Sequence, residues 1–263
     1  MKLLKSHAKK VVALVDKGLV SGLGNPRPGE MCVEACVCYA LGLPHGDDPK
    51  CVSPALRKLK ITLNDYSWST NSARAKGLRR LAVAQLGSNV IDDTAFARAV
   101  AEMTIRTVVP RALRHAASVH TVQEHKDKLE AAAVRCETAA DAAAAARSAA
   151  AARSAAADAA RSAAAAAAAW NAVAAAVAAA ADTAVAADAA AWNAAAAAAA
   201  DAAGAAADDA AMSAGDAELA TFAESVVQIL IDLKAPGCKW LDLVPLKKIT
   251  SRTTCVIGHT QWA

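Results

Sequence analysis

Large aromatic side chains are scarce in this chain. Its 263 residues include five Trp, two Tyr and two Phe, which together make up 3% of the sequence. Because such rings normally supply the largest buried areas of a core, their scarcity excludes a core built on aromatic packing. Alternation of apolar and polar residues is also missing over any useful length, which excludes a sheet protein. The best strand candidates, residues 60–63 and 244–250, are both short.

Common catalytic motifs are absent as well. The sequence contains no P-loop and no GxGxxG, HExxH or GxSxG pattern, so the usual signatures of nucleotide-binding proteins, zinc proteases and serine hydrolases are missing. We therefore predict a protein without enzymatic activity, with no catalytic residues, no cofactor and no bound metal.

Long uncharged apolar runs are missing too. Charged residues make up 21% of the chain, and Arg147, Arg153, Asp182 and Asp188 recur within its most alanine-rich part. Each such charge at the centre of a bilayer would cost about 3 kcal/mol, which argues against a transmembrane segment. No signal-peptide pattern precedes the seven cysteines, whose number is odd. We expect a cytoplasmic protein with reduced thiols and no membrane partner.

Alanine is present in excess. Residues 139–211 contain 51 alanines in 73 positions and no proline. Alanine is the best helix former, but its small side chain allows helices to pack only with their backbones close together. We predict an all-α fold, a multi-helix bundle with a long alanine-rich antiparallel section, in which Trp170 and Trp192 fill the gaps. Replacing Trp192 by alanine is expected to cost several kcal/mol, about as much as other large-to-small core changes. Close-packing alanine faces also allow a homo-oligomer.

The pattern along the chain predicts three parts. They are a basic N-terminal helical part over residues 1–120, an alanine-rich helical bundle over 121–237, and a C-terminal tail packed on the bundle over 238–263. Apolar spacing and capping signals predict the first helices over residues 4–19, 30–41, 53–64 and 72–86. Ser53 and Pro54 begin the third of these, and Asp93 is the predicted cap of a fifth helix that Pro110 kinks or ends.

Basic residues concentrate in the first half. Residues 1–130 hold 20 Lys/Arg against 12 Asp/Glu, or +8, whereas residues 131–263 hold 9 against 13, or −4. Residues 50–80 contain eight basic residues and one acid, with two aromatic residues in the turn between two helices. Such a segment can bind phosphates and stack on bases, or it can be a solvated or partner-facing surface, which we favour. The predicted contact residues are Arg57, Lys58, Lys60, Tyr66, Trp68, Arg74, Lys76, Arg79 and Arg80.

Cysteines cluster in one part of the sequence. The group Cys32, Cys36, Cys38, His45 and Cys51 contains zinc-type ligands, but its spacing is not that of a zinc knuckle. We favour buried, structural cysteines over a metal site. A catalytic thiol paired with His45, or a site built on residues 45–48, is a weaker alternative, because Asp-Asp-Pro is also an ordinary turn signature.

Several runs carry a resemblance. Ala-Asp-Ala-Ala, Ala-Ala-Arg-Ser-Ala-Ala-Ala-Ala and Ala-Trp-Asn-Ala, closed by residues 226–234, resemble the alanine-rich helical Imm-5-like immunity proteins. Residues 28–35 and 45–49 are similar to stretches of phage and mobile-element helical proteins. The resemblance implies a helical protein of immunity or anti-defence type that binds and neutralises another protein, and it supplies no catalytic residues. The alternative is a nucleic-acid-binding phage or regulatory protein that uses residues 50–80.

Overall fold

The fold is described by a computed structural model, which covers residues 2–119, 121–139 and 212–246. Over these ranges the chain is mostly helical and contains no strand, which confirms the predicted all-α class. The predicted antiparallel alanine helices, together with Trp170 and Trp192, lie outside the described residues. No helix in the described ranges is long and apolar enough to cross a membrane.

Eight α-helices make up the described part of the chain. Two short 3₁₀ helices, Ser88–Val90 and Pro236–Leu243, accompany them, and a π-helical turn, Thr104–Val108, joins the fifth helix to the sixth. The α-helices are α1 (Lys5–Val15), α2 (Val33–Ala40), α3 (Pro54–Asp65), α4 (Asn71–Ala84), α5 (Asp93–Met103), α6 (Val109–Val119), α7 (Gln123–Glu137) and α8 (Met212–Asp232).

Helix starts follow the local capping chemistry. The hydroxyl of Ser53 accepts a hydrogen bond from Leu56 N at 3.2 Å, which confirms the predicted start of α3. The predicted cap of α5 is wrong by one residue. Asp92 accepts the bonds from the first amides of that helix, whereas Asp93 lies inside the helix and accepts a hydrogen bond from the Ser53 hydroxyl.

The predicted start of α2 at residue 30 is also wrong. Met31 pairs instead with Gly24 in an isolated β-bridge, and Cys32 N donates to Leu23 O at 3.2 Å. Gly24 has φ of +70°, and a Cβ there would lie 2.0 Å from Glu30 O, so only glycine fits this close approach. The bridge holds Met31 and Cys32 in an extended conformation, and α2 begins only at Val33.

Pro110 does not end its helix. The π-helical turn Thr104–Val108 immediately precedes it, and α6 continues from Val109 through the proline. Proline has no N–H to donate and its ring crowds the preceding turn, and the wider π-helical turn covers the residues that this ring would crowd.

The core is centred on α4, which packs against α8 and also contacts α1 and the 3₁₀ helix Pro236–Leu243. Apolar residues of α4 and α8 belong to one continuous buried cluster, and α6 and α7 form a hairpin beside it. Helix α8 therefore shares its core with the predicted N-terminal part, although it falls within the predicted segment 121–237. The 3₁₀ helix Pro236–Leu243, which follows α8, packs on α4 and α1.

Candidate functional site

Six of the eight basic side chains of residues 50–80 bind the protein's own acids or carbonyls. The guanidinium of Arg79 donates to both carboxylate oxygens of Asp16, at 2.6 and 2.9 Å. Arg80 binds Glu224 on α8 at 2.9 Å and donates to Val244 O at 2.7 Å. These contacts tie α4 to α1 and α8, so the charges serve the fold.

Three of the predicted contact residues are buried. Trp68 is 7% exposed, and its indole N–H donates to Leu63 O at 2.9 Å. Arg74 is 6% exposed and donates to the carbonyls of Asn64 and Leu19, while Lys60 is completely buried.

The other six predicted contact residues reach the surface to different degrees. Arg57, Tyr66, Arg79 and Arg80 are half-buried, whereas Lys58 and Lys76 are exposed. The structure therefore does not bring the nine residues together into one basic surface.

The four clustered cysteines are buried, as predicted for structural cysteines. Cys32, Cys36, Cys38 and Cys51 are all buried, and desolvation raises the pKa of Cys36 to about 12 and that of Cys38 to about 11. Protonated thiols are poor nucleophiles, so these residues do not suit a catalytic role near neutral pH. Within the described ranges, no group of three or more His, Cys, Asp or Glu side chains is arranged to hold a metal ion.

A buried ion pair joins α2 to α3. Glu34 and Lys60 are both completely buried, and Lys60 Nζ lies 2.7 Å from Glu34 Oε1 and donates a hydrogen bond to Gln85 Oε1. Desolvation raises the pKa of Glu34 and lowers the pKa of Lys60, while their mutual attraction opposes both shifts. Lys60 is therefore the partner of Glu34 Oε1, whereas Glu34 Oε2 has no hydrogen-bond donor among the described residues.

Glu34 also lines a small pocket, which we call the acceptor pocket. The pocket opens between the loop before α2, the first turn of α2 and the last turn of α3, and its volume is about 50 Å³. This is room for a few water molecules or one terminal chemical group. The lining residues are Gly22, Leu23, Cys32, Val33, Glu34, Asp47, Ile61, Asn64 and Asp65.

Hydrogen-bond acceptors dominate the polar side chains of the acceptor pocket. Three of these residues are carboxylic acids: Glu34, Asp47 and Asp65. The side-chain amide of Asn64 donates both of its hydrogens, to Val20 O at 2.9 Å and to Asp65 Oδ1 at 2.8 Å. Apart from the weak Cys32 thiol, no side chain that lines the pocket keeps a donor for a ligand. The polar side chains of the pocket are therefore mainly acceptors, of which Glu34 and Asp47 are already paired with Lys60 and Arg57.

Two of the sequence stretches singled out above contribute to the pocket, beside the loop at residues 22–23 and the last turns of α3. Residues 28–35 supply its α2 side and residues 45–49 contribute Asp47, which Arg57 fixes through Asp47 O at 2.6 Å and Asp47 Oδ1 at 2.9 Å. The ring nitrogen Nε2 of His45 lies 3.0 Å from Gly24 O and holds the second stretch against the loop.

Sequence reasoning missed Glu34 as a site residue, although one signal was present. A single acid stands in the apolar run Met-Cys-Val-Glu-Ala-Cys-Val-Cys, and such a residue needs a buried partner. Comparisons of the chain with protein-family models, curated proteins and solved structures found no match.

Proposed function

We propose that this chain is a non-enzymatic, protein-binding module of the immunity or anti-defence type, which binds and neutralises another protein. The observation that carries the proposal is the acceptor pocket. Its volume of about 50 Å³ accommodates a terminal group of a larger partner rather than a whole metabolite. Binding of one side chain from a partner protein is the recognition mode that such a small, polar pocket supports best.

Most of the residues predicted to contact a nucleic acid are buried or already paired within the chain. A nucleic-acid interface gains affinity from several lysines and arginines that are free to replace counterions on phosphates. In the segment 50–80, however, Arg57, Lys60, Arg79 and Arg80 bind the chain's own acids. Of the nine predicted residues, the exposed cations that remain are Lys58 and Lys76.

The test is a capture experiment with tagged full-length chain in lysate of the source host, with and without nuclease, followed by mass spectrometry. We expect a stoichiometric protein partner that survives nuclease treatment. The double variant Lys58→Ala, Lys76→Ala serves as the matched control, because it removes the exposed cations without touching the acceptor pocket. Capture that disappears after nuclease treatment and in this double variant would refute the proposal in favour of nucleic-acid binding.

A further inference from the structure

The loop between α1 and α2 contains the longest run of exposed residues in the described ranges. Residues 21–28 are all exposed, and two prolines flank a single cation in the sequence Pro26-Arg27-Pro28. We call residues 21–28 the proline loop. An exposed loop that is free to move loses conformational entropy when a partner binds it, so the contacts that hold the proline loop decide how well it suits binding.

Hydrogen bonds close the tip of the proline loop. Asn25 N donates to Glu30 O at 2.7 Å, and Glu30 N donates to Arg27 O at 3.0 Å. The side-chain amide of Asn25 donates to Glu30 Oε2 at 3.2 Å, which engages the acid nearest to Arg27 in the sequence. The rings of Pro26 and Pro28 fix their own φ angles on either side of Arg27. The tip therefore presents Arg27 from a backbone that is largely fixed before any partner binds.

The base of the proline loop is attached at three points. Gly24 pairs with Met31 in the isolated β-bridge, and the ring nitrogen Nε2 of His45 lies 3.0 Å from Gly24 O. Gly22 N donates to Asp65 Oδ1 at 2.7 Å, which joins the loop to the end of α3. These contacts come from three separate parts of the chain, so they hold the loop in one position relative to the rest of the fold.

The positive charge of Arg27 is not balanced within the described ranges. Its side chain is exposed, and no acid among the described residues forms an ion pair with it. Lys17, which is also exposed and has no ion-pair partner there, lies at the same end of the fold, since a Cβ on Gly29 would be 3.2 Å from Lys17 O. Asp16 is next to Lys17 in the sequence but is bound by Arg79. Both cations are therefore available to acids of another molecule.

Apolar surface accompanies the charge on the proline loop. Leu23 is 41% exposed, although its backbone oxygen is held by Cys32 N at 3.2 Å, and Pro26 and Pro28 are exposed as well. Leu23 also lines the acceptor pocket, so a partner whose side chain enters that pocket would contact the loop. Protein interfaces combine apolar contacts with a few arginines that supply much of the binding energy. A nucleic-acid interface needs several cations for phosphates, whereas the loop has one, so its composition favours a protein partner.

We infer that the proline loop is a preformed contact for an acidic patch on the partner protein, a statement that rests on the proposed protein-binding function. The guanidinium of Arg27 donates to a carboxylate of that patch, for which its planar fork of N–H groups is suited. Leu23 and the two prolines cover the apolar surface around this ion pair, and Lys17 adds a second positive charge beside it.

The first experiment tests the charge recognition without the partner. Full-length, ¹⁵N-labelled chain is titrated with hexaglutamate and, separately, with hexaglutamine, which has the same length and no side-chain charge. We expect hexaglutamate to shift the backbone amide signals of Arg27 and Gly29 with millimolar affinity, while hexaglutamine leaves them in place. Equal responses to the two peptides, or no shift of these signals with either, would overturn the inference.

Matched charge reversals separate the loop from the overall charge. Arg27→Glu and Lys58→Glu change the net charge equally, but Lys58 is an exposed residue of α3, outside the loop. We expect Arg27→Glu to weaken hexaglutamate binding about tenfold and Lys58→Glu to change it less than about twofold. Because Arg27 is exposed and unpaired within the described ranges, its reversal should leave the melting temperature unchanged. Equal weakening by the two variants would show a general attraction to net positive charge and contradict the inference.

The second experiment locates the partner on the chain. The photo-crosslinking residue p-benzoylphenylalanine replaces Pro26 in the loop or, as a control, Val134, an exposed apolar residue of α7. Each full-length chain is irradiated in lysate of the source host, and the crosslinked peptides are sequenced by mass spectrometry. We expect the loop position to capture a protein through a peptide rich in Asp and Glu. This capture should be lost in Arg27→Glu and retained in Lys58→Glu, and the control position should not give it.

The outcomes distinguish this inference from the proposed function. A captured protein that crosslinks from the control position but not from the loop, or through a peptide without acids, overturns the loop contact and leaves protein binding intact. Crosslinking of the loop to nucleic acid, with no protein captured, overturns both. A loop-specific hexaglutamate response without any captured protein supports the charge recognition of the loop and refutes the proposed function.

Discussion

Replacing Lys60 by methionine and Glu34 by glutamine should give the two single variants opposite pH dependences of stability. Both side chains are completely buried, and their charges face each other at 2.7 Å. Removal of one member leaves the other as an uncompensated buried charge, which costs about 3–5 kcal/mol of unfolding free energy. The double variant removes both charges, and we expect it to lose much less than the sum of the two single changes.

The signs follow from proton linkage. In Lys60→Met, the pKa of Glu34 stays above its ordinary value of 4.5, so the folded state binds the extra proton and stability falls as pH rises from 4.5 through the raised pKa. In Glu34→Gln, the pKa of Lys60 stays below 10.5, so the unfolded state binds the extra proton and stability rises with pH across that window. Each slope approaches about 1.4 kcal/mol per pH unit within its window.

Urea unfolding followed by circular dichroism at pH 5, 7 and 9 measures these slopes, with the wild-type curve subtracted. The buried thiols of Cys32, Cys36 and Cys51, whose pKa values burial raises above 9.0, add their own loss of stability as the pH approaches 9, and subtraction of the wild-type curve removes this contribution. Single variants that both remain within about 1 kcal/mol of the wild type, with parallel pH dependences, would show that the pair is not buried in solution and refute the reasoning.

Other consequences of the packing can be measured in the same way. Trp68→Ala should cost about 3–5 kcal/mol in urea unfolding, because it empties a core position and leaves Leu63 O without its donor. Gly77→Ala should cost about 1–3 kcal/mol despite the better helix propensity of alanine, because the new Cβ would lie 2.3 Å from the Trp68 ring; an unchanged urea midpoint would contradict that packing. Cys36, whose pKa is raised to about 12, should resist a thiol reagent at pH 8 in the native state and react after unfolding, and rapid native labelling would disprove its burial. Arg114→Ala should leave the melting temperature nearly unchanged at high salt, since its pairs with Glu130 and Glu137 are exposed and screened.

Local signals in the sequence predicted local structure well. The all-α class and the start of α3 at Ser53 and Pro54 follow from spacing and capping, which involve residues three or four apart. The burial of the clustered cysteines follows from their apolar surroundings. The start of α2 could not be predicted, because it depends on the bridge between Gly24 and Met31 and not on helix propensity.

The directions of the basic side chains could not be predicted from their own segment. Arg79 binds an acid 63 residues away, and Arg80 binds one 144 residues away on α8. Packing of α1, α4 and α8 decides these pairings, and a high local density of Lys and Arg is compatible with either a free surface or an internal set of ion pairs. The acceptor pocket escaped prediction for the same reason, since Gly22, Glu34, Asp47 and Asp65 are separated in sequence and meet only after folding.

The separation of α4 and α8 in the sequence delays their packing during protein synthesis. Helix α4 ends at Ala84 and α8 ends at Asp232, so the ribosome adds 148 residues between the two. At usual rates of chain elongation this takes about 7–30 s. During that interval the apolar face of α4 lacks its contact with α8, and the nascent chain exposes hydrophobic surface that is prone to aggregation.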